Sequence, residues 1–277
     1  EGMNYFDLSL ILPIHKDFPT FQFGVYLDGV ILDKMTGEIF YFYYEKNRID
    51  QLKEIIKQPN ISEKSYKTKI EFIRYTLSEE EHKQKVSLVL EEVKAGNTFQ
   101  CQIGLKAEYK ITGDTFPIYQ ELREVNPSPH MYYLKFGDKK IIGASPELLF
   151  RLRNGEMETF PLAGSIKRGL SAEEDIQLAR TLLNDPKEIA EHNMLVDLHR
   201  NDLGRVAKFG TVKVRKLMEI KKYSHIQHIS SEVIGIIKKG EDMFSGLASS
   251  FPAGTLSGAP KIESMKIIQR IENNPRG

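Results

Sequence analysis

The chain of 277 residues is 40% hydrophobic and 28% charged, long enough for one large domain or two small ones around a sizeable core. Its 39 basic and 38 acidic residues leave a net charge of +1, which excludes a strongly basic surface for nucleic acid or an anionic membrane. The single cysteine, Cys101, excludes an internal disulfide and a cysteine-rich metal cluster, and points to a reducing cytoplasm.

No apolar run approaches the roughly 18 residues of a membrane span. Glu1-Gly2 leads into mixed sequence without the basic and apolar regions of a signal peptide. A start at Glu1 and a stop in the turn formers Asn274-Pro275-Arg276-Gly277 read as a fragment lacking both ends. The expected division is residues 1–77, an N-terminal sheet portion with a connector, and residues 78–277, a ligand-binding core.

Two aromatic and β-branched runs, Phe21–Tyr26 and Ile39–Tyr44, flank the turn formers Asp28-Gly29 and Thr36-Gly37 and predict a hairpin. A short helix is expected near 48–57, followed by a solvated, Lys/Glu-rich connector broken at Pro59-Asn60. Ser78 with Glu81 three residues on is a capping-box layout. Val86, Leu88, Val89, Leu90 and Val93 supply the apolar side of that helix, and Gly96 ends it. A strand follows at 98–111, a helix at 116–124, then strand pairs Met131–Phe136 with Lys140–Ala144 and Leu148–Leu152 with Glu156–Thr159. The second half alternates helices (172–183, 186–203, 241–250, 260–272) with strands (211–214, 226–236). Hairpins rather than βαβ units make the class α+β with a large antiparallel sheet system.

Asn184-Asp185-Pro186-Lys187-Glu188-Ile189-Ala190-Glu191 carries the clearest chemistry. Asp185 suits the N-cap, Pro186 the first helical position and Glu188 the positive end of the helix dipole. Helical spacing places Glu188, Glu191, Leu195 and Leu198 on one stripe, drawing Glu191 onto a face that tends to be buried. Two carboxylates one turn apart suit a hard divalent cation; equally, Glu188 can serve as a dipole partner and Glu191 pair with a Lys or Arg.

Two glycine-flanked turns, Pro161–Gly169 and Pro252–Lys261, offer backbone approach, hydroxyls and cations for an anionic ligand, or are ordinary turns. The GxxxxGK[ST] spacing of a phosphate-binding P-loop is absent. His228 on its strand is read as a structural histidine or a catalyst, Glu147 as a turn residue or an acid, and Gln100 as a strand residue facing water or a ligand.

Taken in order, Gly143–Leu149, Pro161–Ser165 with Arg168-Gly169, Ala190–His192 through Leu203-Gly204, Tyr223–His225 with His228, and Pro252–Lys261 resemble the chorismate-utilising enzymes, the anthranilate synthase large subunits in particular. The resemblance implies two packed antiparallel sheets flanked by helices, with chorismate and Mg2+ between them. On the matching positions, Glu191 would bind the metal directly and Glu188 through water. Glu147 would protonate the departing C4 hydroxyl, and His228 would assist elimination of pyruvate. Gln100, Ala163, Gly164, Ser165 and Thr255 would line the substrate pocket. Ala163 stands where many aminodeoxychorismate synthases have a nucleophilic Lys, and Gln100 where isochorismate and salicylate synthases have a Lys base. Both substitutions imply ammonia as the nucleophile, delivered by a glutamine amidotransferase subunit. Asn126-Pro127-Ser128-Pro129-His130-Met131 resembles half of a tryptophan feedback pocket, with Asn126, Pro129 and Met131 as its candidate contacts. Ser165 replaces the usual Thr, and His130 a usual aromatic. The C-terminal substrate contacts and second metal-binding Glu pair of the family are missing, which implies an inactive fragment. An aminodeoxychorismate synthase without the Lys nucleophile and a non-catalytic chorismate- or tryptophan-binding module are the competing readings.

Overall fold

The computed structural model describes residues 9–10, 13–19, 21–57, 67–272 and 275–276. The Pro59-Asn60 break and the terminal residues Glu1, Gly2, Asn274 and Gly277 lie outside the described residues.

Every strand pairing among the described residues is antiparallel. Strands β1 (Asp28–Leu32) and β2 (Ile39–Tyr43) form the first ribbon, followed by α1 (Ile49–Lys57). Strand β3 (Lys69–Tyr75) pairs with β5 (Ala107–Thr112) across helix α2 (Glu79–Lys94) and the two-residue β4 (Gln100–Cys101). Helix α3 (Phe116–Val125) precedes the ribbon of β6 (His130–Phe136) and β7 (Lys139–Ser145). The larger sheet comprises β8 (Arg151–Arg153), β9 (Glu156–Thr159), β10 (Leu162–Lys167), β11 (Lys213–Lys222) and β12 (Ile226–Ile236). Its order is β10-β12-β9-β8, with β11 also paired to β12. Helices α4 (Ala172–Leu183) and α5 (Pro186–Gly204) connect β10 to β11; α6 (Met243–Ser250), β13 (Gly258–Ala259) and α7 (Lys261–Glu272) complete the order. β13 pairs with β4, bringing the 252–260 turn beside Gln100.

The expected hairpin forms, but from other residues. Phe21–Tyr26 is not a strand, and Asp28-Gly29, read as a turn, opens β1. The turn falls at Asp33–Gly37, where the Asp33 carboxylate accepts the Met35 N–H at 2.8 Å. The expected 98–111 strand is divided into β4 and β5, and β11 continues to Lys222 through two register shifts, with Met218 at positive φ. The capping box on α2 forms as expected, with Ser78 and Glu81 bonded reciprocally.

The core lies where α5 crosses β10 and β12. Met157, Val196, Leu203, Val206, Ala207 and Val233 make one buried cluster, and Ala163, Leu195, Leu198 and Ala259 a second. Burying Leu195 and Leu198, as their spacing predicts, turns the helix so that Glu188 and Glu191 stay at its half-buried rim. The accessible surface is 18946 Å², against about 12,000 Å² expected for a folded chain of this mass. Much of the excess is apolar: β1, β2, α1 and β3 bury almost no side chain, and α2 buries only Val89 of its apolar row.

Candidate active site

Asp185 caps α5, accepting the N–H groups of Lys187 at 2.9 Å and Glu188 at 3.2 Å, with Pro186 at the first position. Glu188 and Glu191 then project one turn apart. Glu188 is paired with Lys187 Nζ at 3.2 Å, but that lysine is 81% exposed, so the pair is weak and readily exchanged. Glu191 lines an open cleft of about 870 Å³ together with Gln100, Met194 and Ala259. On the opposite side of the same turn His192 is fully buried, its Nε2 2.6 Å from Ser231 Oγ, and burial pushes its pKa down to about 4.

The second part of the site is a bulge in β10. Its register against β12 shifts between Ala163 and Ser165, and Gly164 takes φ +75° there. A Cβ on Gly164 would stand 3.0 Å from Ile229 Cδ1 and 3.3 Å from Glu188 Oε2, so the bulge lets the carboxylate head settle over bare backbone. Across the ladder Ser165 pairs with His228, with Oγ to Nδ1 at 2.8 Å, and the Gly164 carbonyl lies 3.2 Å from the same nitrogen. A carbonyl only accepts, so the Gly164 contact is a hydrogen bond when Nδ1 carries the proton, and in that neutral tautomer the lone pair lies on Nε2. Tyr223 sets its ring 5.6 Å from the His228 ring at 68°, and its hydroxyl reaches the Pro146 carbonyl at 3.3 Å.

Glu147 is the acid that burial raises furthest near these strands. Burial pushes its pKa up to about 7, against downward pulls from the Thr255 hydroxyl and the Leu162 backbone. Thr255 Oγ1 donates to Oε2 at 3.1 Å, while Oε1 is buried without a partner among the described residues. A carboxyl in this state holds its proton near neutrality, as a general acid must. Glu147 lines a second cavity of about 500 Å³ with Ser145, Leu149, Leu256 and Arg276. The turn that supplies Thr255 is seated on α5, where Gly254 packs so closely on Leu198 that a Cβ there would collide with it.

Glu188, Gly164, Ser165 and His228 therefore form one connected group, Glu147 and Thr255 a second, and Glu191 and Gln100 share the open cleft. Tyr223 bridges the first two groups. Ala163 is 7% exposed and belongs to the core beneath the bulge. Asn126, Pro129 and Met131 stand apart: Asn126 and Pro129 are exposed at the end of α3, and Met131 pairs with Ala144 on the β6–β7 ribbon. Sequence reasoning assigned no role to Tyr223, His192 with Ser231, or Asp202 with Lys261. Tyr223, His192, Asp202 and Lys261 lie inside the motifs quoted above, but no spacing rule indicates what they touch.

Residues 2–277 match the family model for chorismate binding enzyme. Anthranilate synthase component 1 of Leptospira biflexa is 61% identical over 100% of this chain and 60% of its own length. The Methanothermobacter thermautotrophicus protein of the same name is 41% identical, over 100% of this chain and 58% of its own. The chain thus spans about three fifths of these relatives. The crystal structure of anthranilate synthase component I from Streptococcus pneumoniae superposes with a TM-score of 0.85 at 31% identity, covering 99% of this chain and 64% of that one. The menaquinone-specific isochorismate synthase of Escherichia coli, at 17% identity and a TM-score of 0.66, shares the fold. With the paired carboxylates, the β10 bulge and the raised Glu147 carboxyl in place, the chain belongs to the chorismate-binding enzyme family.

Proposed function

We propose that this chain is the chorismate-handling core of an anthranilate synthase component 1, forming anthranilate, pyruvate and water from chorismate and ammonia. Glu147 carries the reading: a carboxyl raised to about 7 by burial, with one oxygen on Thr255 and the other without a partner among the described residues. It protonates the C4 hydroxyl as ammonia adds at C2 and the ring double bonds shift, so that the C4–O bond breaks and water leaves. His228, with Nε2 unprotonated, then takes the C2 proton as the C3–O bond to the enolpyruvyl group breaks; the released enol regains a proton and becomes pyruvate. Gly164, Ser165 and Thr255 line the ring. Ala163 has no nucleophilic atom and the Gln100 amide cannot deprotonate water, so both favour ammonia as the attacking group.

Glu188 and Glu191 are a fitting donor set for Mg2+, with hard oxygens one turn apart and one head resting over a glycine. Among the described residues no third His, Cys, Asp or Glu joins them, and the resemblance implies that a second Glu pair, beyond this chain, would complete the set. The ion, when bound, neutralises substrate carboxylate charge. A glutamine amidotransferase subunit supplies the ammonia, in the cytoplasm. Tryptophan at Asn126, Pro129 and Met131 would act on the same centre, because His130 pairs with Ser145, two residues before Glu147.

The test is made on the full-length gene product that contains this chain. Chorismate, ammonium and Mg2+ should give the fluorescence of anthranilate, and Glu147→Gln should remove it. Accumulation of an aminodeoxychorismate or isochorismate product instead would overturn the proposal.

A further inference from the structure

We propose that Tyr223 is the positioning residue whose ring keeps the His228 imidazole in a single orientation and tautomer. The kinetic part of this inference rests on the functional reading above; the structural part does not.

Three contacts meet at Tyr223. Its ring lies edge-on to the His228 ring at 5.6 Å and 68°, within the range of a favourable aromatic pair. Its hydroxyl donates to the Pro146 carbonyl at 3.3 Å, immediately before Glu147. Its own backbone is held on both sides, the N–H donating to Ile226 O at 2.8 Å and the carbonyl accepting from Arg168 Nη1 at 2.6 Å. Arg168 is in turn anchored by both oxygens of Asp175, at 2.9 and 3.0 Å, and Asp175 is 4% exposed. The ring's backbone is thus tied through the half-buried Arg168 to the buried Asp175, while the imidazole it faces is held otherwise, among the described residues, by Ser165 Oγ and Gly164 O, both through Nδ1.

A half-turn of that imidazole about its Cβ–Cγ bond would put Cδ2 where Nδ1 stands and lose both bonds at once. The proton would then be free to sit on Nε2, the nitrogen that must be unprotonated to accept the C2 proton. The edge contact with the Tyr223 ring favours the ring orientation that keeps both bonds. The hydroxyl bond matters less, because 3.3 Å is long for O–H···O.

The experiment uses the full-length protein with 15N-labelled histidine, the His228 signals being assigned by their loss in His228→Gln. Wild type should show His228 as the Nδ1–H tautomer. Tyr223→Leu should show mixed tautomers, with kcat lowered about tenfold and KM for chorismate within about twofold. Tyr223→Phe should keep the tautomer and most of kcat. If Tyr223→Leu does not fold, Tyr223→Met, which fills similar space without a ring edge, takes its place with the same expectations. An unchanged His228 spectrum in the ringless variant, or Tyr223→Phe losing as much as Tyr223→Leu, overturns the proposal. Wild-type protein that makes no anthranilate yet shows the tautomer change in Tyr223→Leu refutes the functional reading and leaves the positioning role standing.

Discussion

Replacing Lys261 by Met tests how the turn bearing Thr255 is fastened to the carboxylate helix. Lys261 opens α7 and is 3% exposed; its Nζ donates to Asp202 Oδ2 on α5 at 2.6 Å and to the Ser250 carbonyl at the end of α6 at 2.8 Å. Burial pulls the lysine's pKa down and pushes Asp202 up to about 6, each opposed by the partner's charge. Met preserves most of the stem volume and removes the charge, stranding a carboxylate whose Oδ1 already has no partner among the described residues. Breaking such a pair costs about 3–5 kcal/mol, a large share of the roughly 5–15 kcal/mol that holds a domain folded. Replacing both members, Lys261→Met with Asp202→Leu, should recover most of the loss, because the desolvation of two charges is also removed. Urea unfolding of wild type, both single variants and the double variant gives the coupling directly, expected at about 2 kcal/mol or more. A Lys261→Met protein within about 0.5 kcal/mol of wild type, or a double variant no better than the single, would refute the assignment of this pair as the fastener.

Thr255→Val removes a hydroxyl that pulls the Glu147 pKa down, so that pKa should rise above its present value of about 7. Since the acid acts in its protonated form, turnover is lost as pH rises through the pKa, and the alkaline limb of the kcat profile should move to higher pH. An unmoved limb would separate Glu147 from the acid step. Burial holds His192 and His199 neutral, with pKa values near 4 and 3, but keeps Glu147 and Asp202 protonated up to about 7 and 6. As pH falls from about 6 towards 4.5 the unfolded chain protonates two histidines while the folded chain holds protons on two carboxyls, and these four groups nearly cancel. His199→Gln removes one unfolded-state proton, so its stability relative to wild type should rise as pH falls, by about 1.4 kcal/mol per unit; a difference from wild type that does not change over that range would contradict the assignment. Gly164→Ala forces a Cβ into left-handed backbone against Ile229 and Glu188. It should cost about 1–3 kcal/mol in unfolding experiments and weaken Mg2+ binding, whereas an unaltered metal titration would remove the bulge from the metal site.

Elements with chemical punctuation were legible from sequence. The α5 start follows from Asp185-Pro186, the α2 start from Ser78 and Glu81, and the buried stripe of Leu195 and Leu198 from helical spacing. Composition beside turn formers misled: Phe21–Tyr26 is strand-like and precedes Asp28-Gly29 but has no partner strand among the described residues, and strand pairing decides where a strand forms. The β10 bulge was legible only as a glycine in a turn, because register belongs to the partner strand. Long-range contacts were not legible at all. Thr255 meets Glu147 across 108 residues and Lys261 meets Asp202 across 59, and no local pattern specifies either meeting. Family resemblance supplied roles for Glu147, Glu188, Glu191 and His228. The burial that raises Glu147 and the carbonyl that faces His228 Nδ1 come from the fold alone.

The most direct test of the central claim follows the nitrogen atom. Full-length protein given chorismate, Mg2+ and 15N-ammonium should release pyruvate and an aminobenzoate whose 15N amino group is ortho to the carboxylate, read by mass spectrometry and 15N–1H correlation. Label at the para position, or consumption of chorismate to an unlabelled product, would contradict the account.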